Sequence, residues 1–95
     1  MMRWLEIIEL RTLDCNRGQL ESQIQKLIRE MNREEKKREV KAYLRAVIDT
    51  DFSIHLLHDS MEIEYGGSSL GLSLASALKE YGLVNHSIWI EMKSR

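Results

Sequence analysis

Residues 69–92 read SLGLSLASALKEYGLVNHSIWIEM, and the hydrophobic period changes once inside that stretch. Leu70, Leu74, Ala77, Leu78 and Tyr81 recur at helical spacing. Val84, His86, Ile88, Ile90 and Met92 then alternate with Asn85, Ser87, Trp89 and Glu91. A period near 3.6 lines one helix stripe and a period of two lines one sheet face, so the stretch is a helix followed by a strand. Gly82 stands between them where a left-handed residue ends a helix, with Leu83 as the apolar contact beyond it. Upstream, Gly66-Gly67-Ser68-Ser69 supplies a loop and a serine N-cap, and residues 58–67 read as loop or irregular extension.

The same alternation of periods runs back to the amino terminus. Val40, Ala42, Leu44, Ala46 and Ile48 alternate with Lys41, Tyr43, Arg45 and Val47. Asp49-Thr50-Asp51 has turn chemistry, and Phe52, Ile54 and Leu56 resume the alternation against Ser53, His55 and Leu57, which reads as a hairpin. Leu20, Ile24, Leu27, Ile28 and Met31 make the strongest helical stripe of the chain, capped by Asn16 or Asp14. Arg3 to Leu10 reads as a strand with apolar groups on both sides: Trp4, Glu6, Ile8 and Leu10 on one, Leu5, Ile7 and Glu9 on the other. Periodicity does not choose which set faces the core. The run Arg33-Glu34-Glu35-Lys36-Lys37-Arg38-Glu39 is a solvated connector of mixed sign.

The order is strand, helix, strand, strand, helix, strand, the split βαβ or ferredoxin-like arrangement. The expected fold is therefore α+β: a ferredoxin-like βαββαβ unit with an antiparallel four-stranded sheet and two helices on one face. Ninety-five residues make one domain, 1–95, long enough to bury about two-thirds of the unfolded surface. The chain is 43% hydrophobic and 31% charged, with a net charge of −1 and no global basic field to attract a phosphate backbone, so no nucleic-acid partner is expected. Cys15 is the single cysteine, which suits a reducing compartment. Charge interrupts the first nine residues too early for a signal-peptide core, and no run approaches the ~20 apolar residues of a membrane span. A cytoplasmic protein without a membrane partner is expected.

If the helices cover Val40, Ala42, Leu44, Ala46, Ile48, Phe52, Ile54, Leu56, Val84, Ile88 and Ile90, the opposite face carries Tyr43, Arg45, Val47, His55, Leu57, Asn85, Ser87 and Trp89. That mixture is too apolar for water and too polar for a core, the composition of a partner or ligand surface. The element order and the 70–89 segment resemble the dimeric α/β-barrel superfamily, antibiotic-biosynthesis-monooxygenase-like proteins among them. The resemblance implies a homodimer paired sheet to sheet, with a small organic ligand or cofactor-free monooxygenase-like chemistry. Haem-degrading relatives carry a histidine on the second helix, and residues 70–81 have none. Quinone-forming relatives use Asn, Trp, Arg and Tyr side chains, types present here as Asn85, Trp89, Arg45 and Tyr43.

The candidate ligand-binding or dimer-face residues are thus Tyr43, Arg45, His55, Asn85 and Trp89, with no catalytic residue assigned. His55 beside Arg45 and a glutamate has the types of an acid/base pocket, and equally of an interfacial ion pair. His55 and His58 point to opposite faces and no carboxylate or cysteine cluster completes a metal shell, so no metal or cofactor is expected. His86 has core parity and reads as a hydrogen-bonded buried histidine. Enzyme and binding module both stay open. A regulatory module of the ACT type is the alternative, and an RNA-binding sheet is disfavoured by sparse aromatics.

Overall fold

In a computed structural model, which describes residues 2–13, 17–34 and 38–93, the sheet pairs in the order β2-β3-β1-β4 with every neighbour antiparallel. The elements are β1 (Met2–Thr12), α1 (Arg17–Glu34), β2 (Arg38–Leu44), β3 (Asp51–Ser60), α2 (Ser69–Leu78) and β4 (Gly82–Ile90). This is the ferredoxin-like α+β fold that the periods predict. The expectations for Asp14, Cys15 and Asn16, and for Glu35 to Lys37 in the charged run, lie outside the described residues.

The choice left open for β1 is resolved by burial. Trp4, Glu6, Ile8, Leu10 and Thr12 turn toward the helices, with Ile8 and Glu6 fully buried. Ile8 and Leu10 share one core with Leu20, Ile24 and Met31 of α1 and Leu74, Ala75 and Leu78 of α2, together with Val40, Phe52, Ile54 and Leu56 from the neighbouring strands. Side chains as completely buried as Ile8, Ile54 and Leu56 each contribute about 2–3 kcal/mol of hydrophobic free energy.

The hairpin differs from its sequence reading. β2 ends at Leu44, paired with Phe52, and Arg45 to Thr50 form a loop. Ala46 and Ile48 keep the alternation in sequence but leave the sheet, and both are exposed, as are Ala42 and Leu44 on the edge strand. Val47, assigned to the open face by parity, is 99% exposed in the loop with φ of 74°. The loop is drawn to β1, because the Thr12 amide and hydroxyl both donate to the Thr50 carbonyl. At the free edge of β2, the Asn32 side-chain amide donates to the Val40 carbonyl and its oxygen accepts from the Val40 amide, both at 3.0 Å. It satisfies that stretch of edge as a strand would.

β3 runs longer than expected, to Ser60, so His58 lies in the sheet opposite Trp4 rather than in a loop. α2 starts as predicted, with Ser68 as N-cap, and stops at Leu78 with Lys79 as its C-cap. Gly82 is not left-handed; it is the first residue of β4, paired with Thr12, where an added Cβ would run into the backbone carbonyl of Arg11. Close strand approach, not helix termination, is what requires glycine there.

Candidate functional site

An acidic side chain at core parity must find donors or remain un-ionised. Glu6 finds four. Its Oε1 accepts from the Ser68 hydroxyl at 2.6 Å and from His58 Nε2 at 2.8 Å, and its Oε2 accepts from His86 Nε2 at 2.6 Å and from the Ser68 amide at 3.1 Å. Burial pushes the carboxyl up, but the hydrogen bonds from His58, Ser68 and His86 and the charge of His86 outweigh it and bring the pKa from 4.5 down to about 2. The carboxylate is ionised and can only accept, so each histidine must present Nε2–H to it.

The surroundings are shaped to that carboxylate. The Ser68 hydroxyl, while donating to Glu6, accepts the Gly71 amide at 3.0 Å and so caps α2. Gly67, with φ of 105°, and Gly71 make the room: an added Cβ would meet His86 and Glu6 at the first, and the Glu6 carboxylate at the second. Trp4 stacks on His58 with centroids 4.0 Å apart and donates its indole N–H to Ser60. Chemically the cluster is closed. All four acceptor directions of Glu6 are taken, and the start of α2, where a helix favours an anion, already holds this internal carboxylate. Among the described residues no group of three or more His, Cys, Asp or Glu side chains is arranged to hold a metal ion. The core parity of His86 is legible in the sequence; the sign of its partner is an acid, Glu6, standing among Trp4, Ile8 and Leu10.

The residues singled out for the open face form a register grid. One row across the sheet is Tyr43, Ser53, Glu9 and Asn85; the next is Lys41, His55, Ile7 and Ser87; the third is Glu39, Leu57, Leu5 and Trp89. Rows rich in charge close the ends: Asp51 and Arg11, with the exposed Leu83, beyond the first, and Asp59, Arg3 and Glu91 beyond the third. Tyr43, Leu57 and Trp89 are 48%, 43% and 57% exposed, and Leu5 and Ile7 are half-buried between them.

Two of the five candidates come together. The Tyr43 and His55 rings lie 4.6 Å apart, and His55 Nε2 pairs with Ser53 Oγ at 2.9 Å. Burial pushes His55 below its usual pKa of 6.5, against the opposing pull of Glu9. Arg45 is not beside His55: it has left β2 and shares Asp51 with Arg11, at 2.9 and 3.0 Å. Asn85 bonds Glu9 at 3.4 Å and Trp89 bonds Ser87 at 2.8 Å, both on β4 at the far edge; by strand spacing Asn85 is about 14 Å from Tyr43, and Trp89, four residues further along the strand, about 19 Å. Half-open clefts sit at the two ends, one of about 250 Å³ against Glu9, Arg11, Arg45 and Asn85, the other of about 300 Å³ against Leu5, Leu57 and Trp89. Neither gathers Tyr43, His55 and Trp89 into one pocket.

Fold and sites together define a ferredoxin-like α+β domain with a closed buried ion cluster under one helix and an amphipathic sheet face left uncovered by the other elements. No protein-family model, curated protein or solved structure matches the chain. No helix among the described residues is long and apolar enough to cross a membrane.

Proposed function

We propose that this protein works as a homodimer that pairs through the open sheet face and holds a small organic ligand there, in the manner of the dimeric α/β-barrel proteins. The observation that supports the reading is the exposure of Tyr43, Leu57 and Trp89 on one continuous face whose ends are charged. An apolar centre with a charged rim is the anatomy of a protein interface, and a second copy of the same face supplies a matching partner. His55 is the group on that face suited to chemistry. Held below its usual pKa, it favours the neutral form near pH 7 and is placed to take a proton from an acidic group of a ligand bound beside the Tyr43 ring, leaving the ligand as its anion and His55 as imidazolium.

Sedimentation equilibrium tests the reading. The wild type is expected at the two-chain mass at micromolar concentration and Leu57→Asp at the one-chain mass with an unchanged circular dichroism spectrum. A wild type that stays at the one-chain mass at high micromolar concentration overturns it.

A further inference from the structure

The two central strands of the sheet present opposite charges at matched positions. On the open face β1 carries Arg3, Leu5, Ile7, Glu9 and Arg11, and β3 carries Asp59, Leu57, His55, Ser53 and Asp51 in direct register with them. One row is basic at both ends, its neighbour acidic at both ends, and a leucine lies at the same height in each. In isologous pairing, exchanging these two rows lays unlike charge over unlike charge and leucine over leucine.

We propose that the second copy docks about a twofold axis running along the strands between β1 and β3, so that each subunit's Tyr43–His55 corner is completed by Asn85 of the partner subunit. This rests on the dimer reading given above and adds its geometry. The axis places Arg3 over the partner's Asp59, Arg11 over the partner's Asp51 and Leu5 over the partner's Leu57. Glu9, the one carboxylate that the two central strands carry in the middle rows, lands on the partner's Ser53, whose hydroxyl already pairs with His55 in its own chain and can bond the carboxylate as well, and the edge carboxylate Glu39 lands over the partner's Trp89. The outer strands exchange as well. Tyr43 shares a row with Ser53, Glu9 and Asn85, so β2 of one subunit brings Tyr43 over the partner's Asn85. Within one chain those two residues stand on opposite edges of the sheet, too far apart to hold one ligand. Across the axis they face each other at the ~10 Å separation of aligned sheets.

The competing twofold, in the sheet plane but across the strands, fails on the same residues. It lays Arg3 over the partner's Arg11, Asp59 over the partner's Asp51, and Glu9 over the partner's Leu5. Like charges then meet at both ends and a carboxylate is buried against a methyl surface.

Charge exchange at one end distinguishes the two. With the axis along the strands, Arg3→Asp sets acid over acid and is expected to weaken the dimer about tenfold, and adding Asp59→Arg restores it to within about threefold of wild type, because that end maps onto itself. With the axis across the strands, Arg3→Asp sets acid over Arg11 and tightens the dimer. Tightening, or failure of the paired change to restore association, overturns this geometry while leaving the dimer itself standing; a wild type that never dimerises removes both. The completed corner has its own readout in the dimer Kd. Tyr43→Ala and Asn85→Ala, separated by two intervening strands within a chain, are expected to be non-additive because their side chains meet across the interface. Additive effects overturn the shared corner.

Discussion

The α-carbon of Gly71 rests against the carboxylate of Glu6, so that even a methyl group at residue 71 would overlap both carboxylate oxygens. The carboxylate cannot yield, because four hydrogen bonds hold it, and the α2 backbone cannot lift without breaking the Ser68 cap. Gly71→Ala is therefore expected to lose at least about 2 kcal/mol of stability although alanine is the better helix former. Urea unfolding checks this; a gain in midpoint would show that glycine is not there for the acid.

Glu6→Gln keeps the shape and removes the charge. Its amide nitrogen would face donors it cannot accept, and the substitution is expected to cost about 3 kcal/mol, more than the ~1–2 of Ser68→Ala. The pH dependence carries the sign. The folded pKa of Glu6, about 2, lies below the unfolded 4.5, so its contribution is complete above pH 4.5 and is lost as pH falls toward 2. Wild-type stability should fall through that window and Glu6→Gln should fall less steeply, measured by thermal unfolding at stepped pH.

His55 titrates in the opposite sense to a histidine held by a partner. Burial disfavours its charged form, so the folded protein binds a proton less readily than the unfolded chain, and this contribution is present above pH 6.5 and lost below it. NMR titration of the ring is expected to place its midpoint below 6.5, and Glu9→Gln to lower it further by removing the opposing charge.

Val47 is a β-branched residue in left-handed backbone, with φ of 74°, and its side chain is 99% exposed. Nothing is lost in packing if it is removed. Val47→Gly should stabilise by about 1 kcal/mol, read as a higher urea midpoint with an unchanged slope.

Asn32 closes part of the β2 edge with a paired amide. Asn32→Asp keeps an acceptor for the Val40 amide but sets a carboxylate oxygen against the Val40 carbonyl, and is expected to cost about 1–2 kcal/mol and to speed amide exchange at Val40. Unchanged exchange there would mean the side chain does not guard the edge.

Alternation alone placed Phe52, Ile54 and Leu56 inward and Tyr43, His55, Leu57 and Trp89 outward, because β3 and β4 follow one period to their ends. It misled at Ala46 and Ile48, where the sequence keeps alternating after the pairing partners run out at Leu44 and Phe52. Helix α2 was legible in position but not in extent, since Tyr81 continues the stripe after the helix stops at Leu78. The Glu6 cluster was illegible as a unit for a different reason. Its hydrogen bonds join residues 52, 62 and 80 positions apart, and no local pattern encodes such distances. The charge match of β1 and β3 likewise needs the register, which only the folded sheet supplies.

The cluster also bears on how the molecule comes apart. One carboxylate on β1 ties together β3 through His58, α2 through Ser68 and β4 through His86, so none of these can detach without stranding a buried charge. Helices at the edge of small domains often fray by themselves, but here opening α2 undoes the seam of the whole sheet. Its amides should exchange with solvent only as fast as the entire chain unfolds, making a ten-residue helix a clock for global stability.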